Sequence, residues 1–431
     1  MVRFIFETKY PKIGIICRYI NLKNDLMDKI KIIEAGNEIG LGGTEYVIQL
    51  YSKYLDKEHF EVLVIGVHKG GERVKLIEDL GIEVAILNSD MTLLAKLLKE
   101  TDVFHWHGDG TLNPAIFDVV KANRPRMVIQ TNVFGAYHPS PLYDTIDYDL
   151  YVSKMILIRR MYTDQNQENS YYSKRKALHN PIDTDHINSL MPSNNQLQQF
   201  KKENDLLDYF IIGRIGRADE GKFDFITLDG FAEFAKSIPN ARFLLVGATL
   251  SMVKYAEALG ITNKLIVFEN TPDLKQLLFY YRSMEILLAA SRIGESFGMV
   301  IAEAMTAGTP VLTISTPYAD NAQVEIVDNG KTGLVVERSI EKIAAALQYL
   351  YHQENVRVSL SIAAKQKVEN EYKANRIVKS LEELIYHHFQ RPIPYQEKSL
   401  LTDFSQEIIN DYIYRCSDLW EPTETKINEH K

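Results

Sequence analysis

Cysteine is almost missing: 431 residues contain two, Cys17 and Cys416, far apart in the chain. That excludes a disulfide framework and a cysteine-rich metal module, and it fits a reducing compartment. No apolar run approaches the ~18–20 residues that span a bilayer. The opening stretch MVRFIFETKYPKIGIICRYI lacks a long apolar core with a small-residue cleavage site, so no signal peptide is expected. Basic excess is missing as well. Lys and Arg number 49 against 57 Asp and Glu, a net charge of -8, which argues against nucleic acid as a bulk partner. Internal repeats and low-complexity stretches are also absent. What is present is an ordinary globular balance, 45% hydrophobic and 25% charged, in a chain long enough for two cores. The expected compartment is the cytoplasm, with peripheral contact at a membrane surface left open.

Apolar strands alternate with amphipathic helices through both halves, which predicts parallel, doubly wound sheets. In the first half the expected strands are 12–18, 61–66, 82–87, 103–107, 127–131 and 150–153, with helices at 74–80, 91–98 and 115–122. The region between residue 18 and the glycines at 40–43 reads as a long loop. The polar stretch 191–203 lacks a core pattern and reads as the hinge. Expected domains are 1–190 and 205–390. A helical extension, 391–431, follows, with the prolines at 392–397 marking a crossing.

The chemistry concentrates at strand ends. SRIGESFGMVIAEAMTAGTP, residues 291–310, follows an apolar strand and reads as a loop entering a helix near Met299. Free N–H groups and the helix dipole there receive an anion. Glu295 in the loop and Glu303 in the helix cannot grip a phosphate, but they can accept hydrogen bonds from hydroxyls. Upstream, GRIGRADEGK places Arg214, Arg217 and Lys222 on one strand-end loop, where cations can neutralise a diphosphate. In the first half, Gly40, Gly42 and Gly43 precede Thr44, a plausible N-cap, and a helix. DVFHWHGDG puts His105 and His107 on the same side of a strand. The H-x-H spacing admits a metal, but no Asp or His set elsewhere completes one. Lys154, Arg159, Arg160, Lys174, Arg175 and Lys176 read first as a solvated basic face and second as a contact for anionic lipid or a phosphorylated acceptor.

The spacing Glu295-x7-Glu303 inside ESFGMVIAEAMTAGTPV resembles the signature of the family 4 retaining glycosyltransferases of the GT-B fold. The GR-then-Lys pattern, the GG loop, D-x-x-H-x-H and VEIVDNGKTG are similar to other segments of that family. The resemblance implies two Rossmann-like domains facing a cleft. It also implies transfer of a hexose-type sugar from a UDP- or GDP-sugar to an acceptor hydroxyl of a saccharide or lipid-linked acceptor, without cofactor or metal. By the same resemblance, Lys222 with Arg217 or Arg214 binds the diphosphate. N–H groups at Gly298, Met299 and Val300 assist, Glu303 takes the ribose and Glu295 the sugar. Gly42 and Gly43 close over the donor. His107, then His105, lies near the reacting sugar or the acceptor. Thr131 stands on the acceptor side, where Thr131-Asn132-Val133 departs from the family's common histidine. A nucleotide-sugar epimerase or hydrolase on the same fold would consume donor without acceptor. A non-catalytic donor-binding subunit would be favoured only if the charged positions were missing, and they are present.

Overall fold

A computed structural model of the chain describes residues 28–163 and 173–422. The first domain contains β1 (Ile30–Glu38), α1 (Gly43–Tyr54), β2 (Phe60–Lys69), α2 (Arg73–Glu78), β3 (Glu83–Ile86), α3 (Met91–Lys99), β4 (Val103–Gly108), α4 (Pro114–Ala122), β5 (Met127–Asn132), β6 (Tyr148–Tyr151), α5 (Lys154–Thr163) and β7 (Arg175–Ala177). Helices α6 (Thr184–Ser189) and α7 (Asn194–Glu203) lead out of it. The second domain contains β8 (Phe210–Ile215), α8 (Ile226–Ala235), β9 (Ala241–Val246), α9 (Leu250–Ala258), β10 (Leu265–Phe268), α10 (Leu274–Ser283), β11 (Ile286–Ala289), α11 (Met299–Ala307), β12 (Val311–Ile314), α12 (Gln323–Ile326), β13 (Leu334–Val336), α13 (Ile340–His352) and α14 (Glu354–Glu371). The chain then continues through α15 (Ala374–His388), β14 (Thr402–Asp403) and α16 (Gln406–Ser417).

The first sheet has the order β14-β7-β6-β5-β4-β1-β2-β3, parallel except where β14 joins β7 antiparallel. The second has the order β10-β9-β8-β11-β12-β13. Each sheet reverses its winding once, between β1 and β4 and between β8 and β11. At such switch points the loops leave in opposite directions and open a crevice at the carboxyl ends of the strands. The loops that carry the candidate residues are therefore the ones the topology turns outward.

Three local differences from the sequence reading have physical causes. First, IKIIEAGNE forms β1, paired with β2 and β4, where a loop was expected. Its apolar pattern is interrupted by Glu34, which the fold buries. The expected strand at 12–18 lies outside the described residues. Second, the polar hinge is helical. Ser193 and Gln196 form a capping box, Leu197 is buried, and Phe200 stacks on Phe268 and Phe279. Third, the chain returns to the first domain before the prolines at 392–397. Lys373 bridges to Ile182, and Ile377, Leu381 and Ile385 of α15 pack with Val47 and Tyr51 of α1. The tail then crosses again: Trp420 is buried in the core of the second domain and donates its main-chain N–H to Val335 at 2.7 Å.

Candidate active site

At the β8/β11 switch point two loops are stitched together. Phe223 bridges to Ser291, and the Arg292 N–H donates to the Lys222 carbonyl at 2.9 Å. This sets Lys222 Nζ 2.8 Å from Glu295 Oε2. Arg214, at the end of β8, is buried over the ring of Phe223, 5.1 Å from its centroid. Burial lowers its pKa to about 10, against the charges of Glu295 and Asp219. Arg217 stands exposed further along the same loop. Arg214, Lys222 and Glu295 thus converge, whereas Arg217 faces solvent.

Gly298 caps α11 with φ of 104°, a left-handed conformation that a side chain would strain. No side chain caps this helix, so the first-turn N–H groups at Met299 and Val300 have no side-chain acceptor. One turn on, Glu303 Oε2 accepts from the Tyr281 hydroxyl at 2.8 Å. Burial raises the Glu303 pKa to about 7, and the Tyr281 bond opposes that rise. The Tyr46 hydroxyl, on α1 of the first domain, is pushed up first by burial and then by the charge of Glu303. The two domains therefore approach one another at this glutamate.

Gly42 rather than Thr44 is the N-cap of α1, and the helix begins at Gly43 without a side-chain cap. Starting the helix two residues early puts a glycine at its first position, with the acidic Glu45 in the same turn beside Gly42. Arg73 braces this loop through Gly40 O at 3.0 Å and Gln49 Oε1 at 2.6 Å.

A sequence profile described as "Glycosyl transferases group 1" matches residues 195–367. The match covers the second domain and less than half of the chain. The capsular polysaccharide biosynthesis glycosyltransferase CapM of Staphylococcus aureus is 26% identical over 196 residues, 44% of this chain and 49% of CapM. The chain therefore spans about half the length of that relative. The fold is GT-B. A glycosyltransferase from Rickettsia africae superposes with TM-score 0.70 at 18% identity, over 85% of this chain and all of that one. Anabaena HepE, solved with UDP-glucose, gives TM-score 0.67 at 17% identity, over 83% of this chain and all of HepE.

In the first domain, His105 and His107 lie beneath α1 and are buried, as is Thr131. Their partner is Glu34 of β1, a residue the sequence reading passed over because its strand was read as loop. Its oxygens lie 2.6 Å from His107 Nε2 and 3.0 Å from His105 Nδ1.

The two domains are latched by Glu325 of α12. Its carboxylate accepts the main-chain N–H of Lys154 at 3.1 Å and that of Met155, capping α5 from the opposite domain. His179 Nε2, in the interdomain segment, lies 3.3 Å from the same carboxylate, and its ring packs on Phe297 of the Glu295 loop. Much of the basic stretch expected to be solvated is engaged internally. Arg159 pairs with Asp320, and Lys176 with Asp403. Arg175 is buried against Tyr143. Burial lowers the Lys174 pKa to about 8. Among the described residues, no helix is long and apolar enough to cross a membrane.

Proposed function

We propose that the protein is a retaining glycosyltransferase. It moves a hexose-type sugar from a nucleoside diphosphate donor to an acceptor hydroxyl in glycan or glycolipid synthesis. The observation that carries this reading is the convergence of Lys222, Arg214, Glu295 and the uncapped start of α11 at one switch point. A cationic cluster beside free N–H groups suits a diphosphate, and the paired carboxylates suit the hydroxyls on either side of it. Lys222 with Arg217 or Arg214 stabilises charge on the leaving diphosphate as the glycosidic bond breaks. Met299 and Val300 N–H groups bind phosphate oxygens, Glu303 takes the ribose hydroxyls, and Glu295 takes sugar hydroxyls. Gly42 and Gly43 approach the donor from the first domain, and His107, His105 and Thr131 lie toward the acceptor. Because Lys and Arg supply the positive charge, the reaction in this reading needs no divalent metal. HepE's UDP-glucose favours UDP over GDP as the nucleotide. We place the reaction in the cytoplasm. Any contact with an anionic membrane surface would fall to whatever part of the basic stretch is not engaged internally.

The test is thermal stability against UDP, GDP, ADP and their sugar conjugates, with and without EDTA. A ligand at 100 times its Kd adds ~2.7 kcal/mol to the folded state. Selective stabilisation by one nucleotide, unchanged by EDTA, is the expected result. No response to any nucleotide would remove the donor site.

A further inference from the structure

Three side chains that exchange protons are buried side by side in the first sheet, on β1 and toward the end of β4. Glu34, His105 and His107 are 0%, 0% and 1% exposed. Besides the two contacts with Glu34, His105 Nε2 lies 2.8 Å from Thr131 Oγ1. The ring of Tyr51, from α1, covers both imidazoles at 5.3 and 5.5 Å. The charge of Lys57 also couples to Glu34, but its ammonium is held by the carbonyls of Ser52 and Leu55. Burying a carboxylate and two imidazoles without a function would be costly.

The contacts fix the protons that lie between Glu34 and the two imidazoles. Burial alone would raise the Glu34 pKa, yet the histidines, His105 foremost, hold it at about 2. An ionised carboxylate only accepts, so His107 Nε2 and His105 Nδ1 both carry protons. His105 Nε2 meets the Thr131 hydroxyl on its far side. Burial and the neighbouring His105 lower the His107 pKa to about 4, so its ring is neutral near pH 7. His107 Nδ1 is left as a lone pair, buried and without a hydrogen-bond partner.

We infer that Glu34 is a positioning residue: it fixes His107 as the Nε2–H tautomer and leaves Nδ1 as the acceptor for a ligand hydroxyl at the β1/β4 switch point. His105, braced by Thr131, holds the other side of the carboxylate. The three ligand atoms lie within 4.8 Å of one another, a spacing a metal ion also uses. The 2.6 Å between His107 Nε2 and Glu34 Oε2 is a hydrogen-bond length, however, and two ligands of one tetrahedral zinc stand about 3.3 Å apart. That the hydroxyl belongs to a sugar or acceptor rests on the glycosyl-transfer reading. The tautomer does not.

The experiment is 15N NMR of the full chain labelled at histidine, with His107 assigned by loss of its signal in His107→Gln. Expected at pH 7 is a neutral His107 protonated at Nε2, unchanged down to pH 5, and a shifted or tautomer-averaged signal in Glu34→Gln. A His107 that titrates near pH 6.5, or is protonated at Nδ1, overturns the inference even if Glu34→Gln does not fold. So does a stoichiometric metal in the purified protein. The second arm is kinetic, with whichever nucleotide sugar stabilises the wild type. Glu34→Gln should lower kcat by about 10-fold or more while the donor KM stays within about 2-fold, with partial rescue in Glu34→Asp. An unchanged kcat in folded Glu34→Gln overturns the positioning role. A wild type that binds no nucleotide sinks the glycosyl-transfer reading and leaves the NMR result standing.

Discussion

Lys222 Nζ and Glu295 Oε2 are 2.8 Å apart, joined across the two loops of the second domain's switch point. Each is the other's nearest counter-charge while both stay partly open to solvent. An arriving diphosphate would compete with Glu295 for the ammonium and free the carboxylate for sugar hydroxyls. Lys222→Ala should therefore lower kcat by ~10²-fold or more. Steady-state turnover of the nucleotide sugar checks it, and activity within a few-fold of wild type would refute the leaving-group role.

The two arginines on that loop should separate. Arg217 is exposed, so Arg217→Ala should weaken nucleotide binding with little change in Tm. Arg214 is buried on Phe223, and Arg214→Ala should lower Tm as well. Calorimetric titration with UDP, read beside melting curves, tells them apart. Equal loss of affinity without any loss of stability would contradict this division.

Glu303 should make donor binding pH-dependent. Its pKa is raised to about 7, so the ionised form, which in the proposed reading accepts ribose hydroxyls, gains population as pH rises from 6 to 8. Nucleotide affinity should climb over that window and flatten in Glu303→Gln, which controls for titration of the phosphate itself. Tyr281→Phe removes the bond that favours the ionised form and should move the climb to higher pH. A profile identical in wild type and Glu303→Gln would exclude the role.

Acid stability should report the buried cluster. Free histidine takes its proton near pH 6.5, but His107 does so only near 4. Between those values the unfolded chain binds more protons, and stability falls as pH falls. Glu34, depressed from 4.5 to about 2, stabilises the fold above pH 4.5, and that contribution is lost toward pH 2. Melting curves from pH 7 to 4 should slope less in His107→Gln. A slope equal to wild type would mean that His107 is not held neutral.

Glu325→Ala removes the cap that the second domain places on α5. Loss of a helix cap costs about 0.5–2 kcal/mol, so Tm should drop by a few degrees. Small-angle scattering should show a wider spread of domain orientations than wild type. An unchanged Tm and scattering profile would show that the latch carries no weight.

The sheets and most strand ends were legible because apolar runs separated by glycine leave few alternatives. Residues 61–66, 103–107 and 127–131 appear as strands within a few positions of where the pattern put them. What was illegible depends on tertiary partners. Glu34 interrupts its strand like a loop residue until two histidines from β4 accept its company. The stretch 191–203 looked like linker because few of its residues are apolar: Leu197 is buried, Phe200 packs on the second domain, and Lys201 reaches Glu285 there. Arg175 reads as surface in sequence and is buried only because Tyr143 folds over it. Lys222 and Glu295 were each visible alone. Their contact, 73 residues apart, required the fold.

The path of the chain after Arg391 has a mechanical consequence. Thr402 and Asp403 are hydrogen-bonded into the edge of the first sheet, while Trp420, a short helix later, is sunk in the core of the second domain. Arg415 and Cys416, on that helix, contact Asp328 and Asn321 beside the Glu325 latch. The two halves of the cleft are thus shackled on one side. They cannot draw straight apart without unzipping an edge strand or extracting a tryptophan, so the mouth can gape only by pivoting about α16.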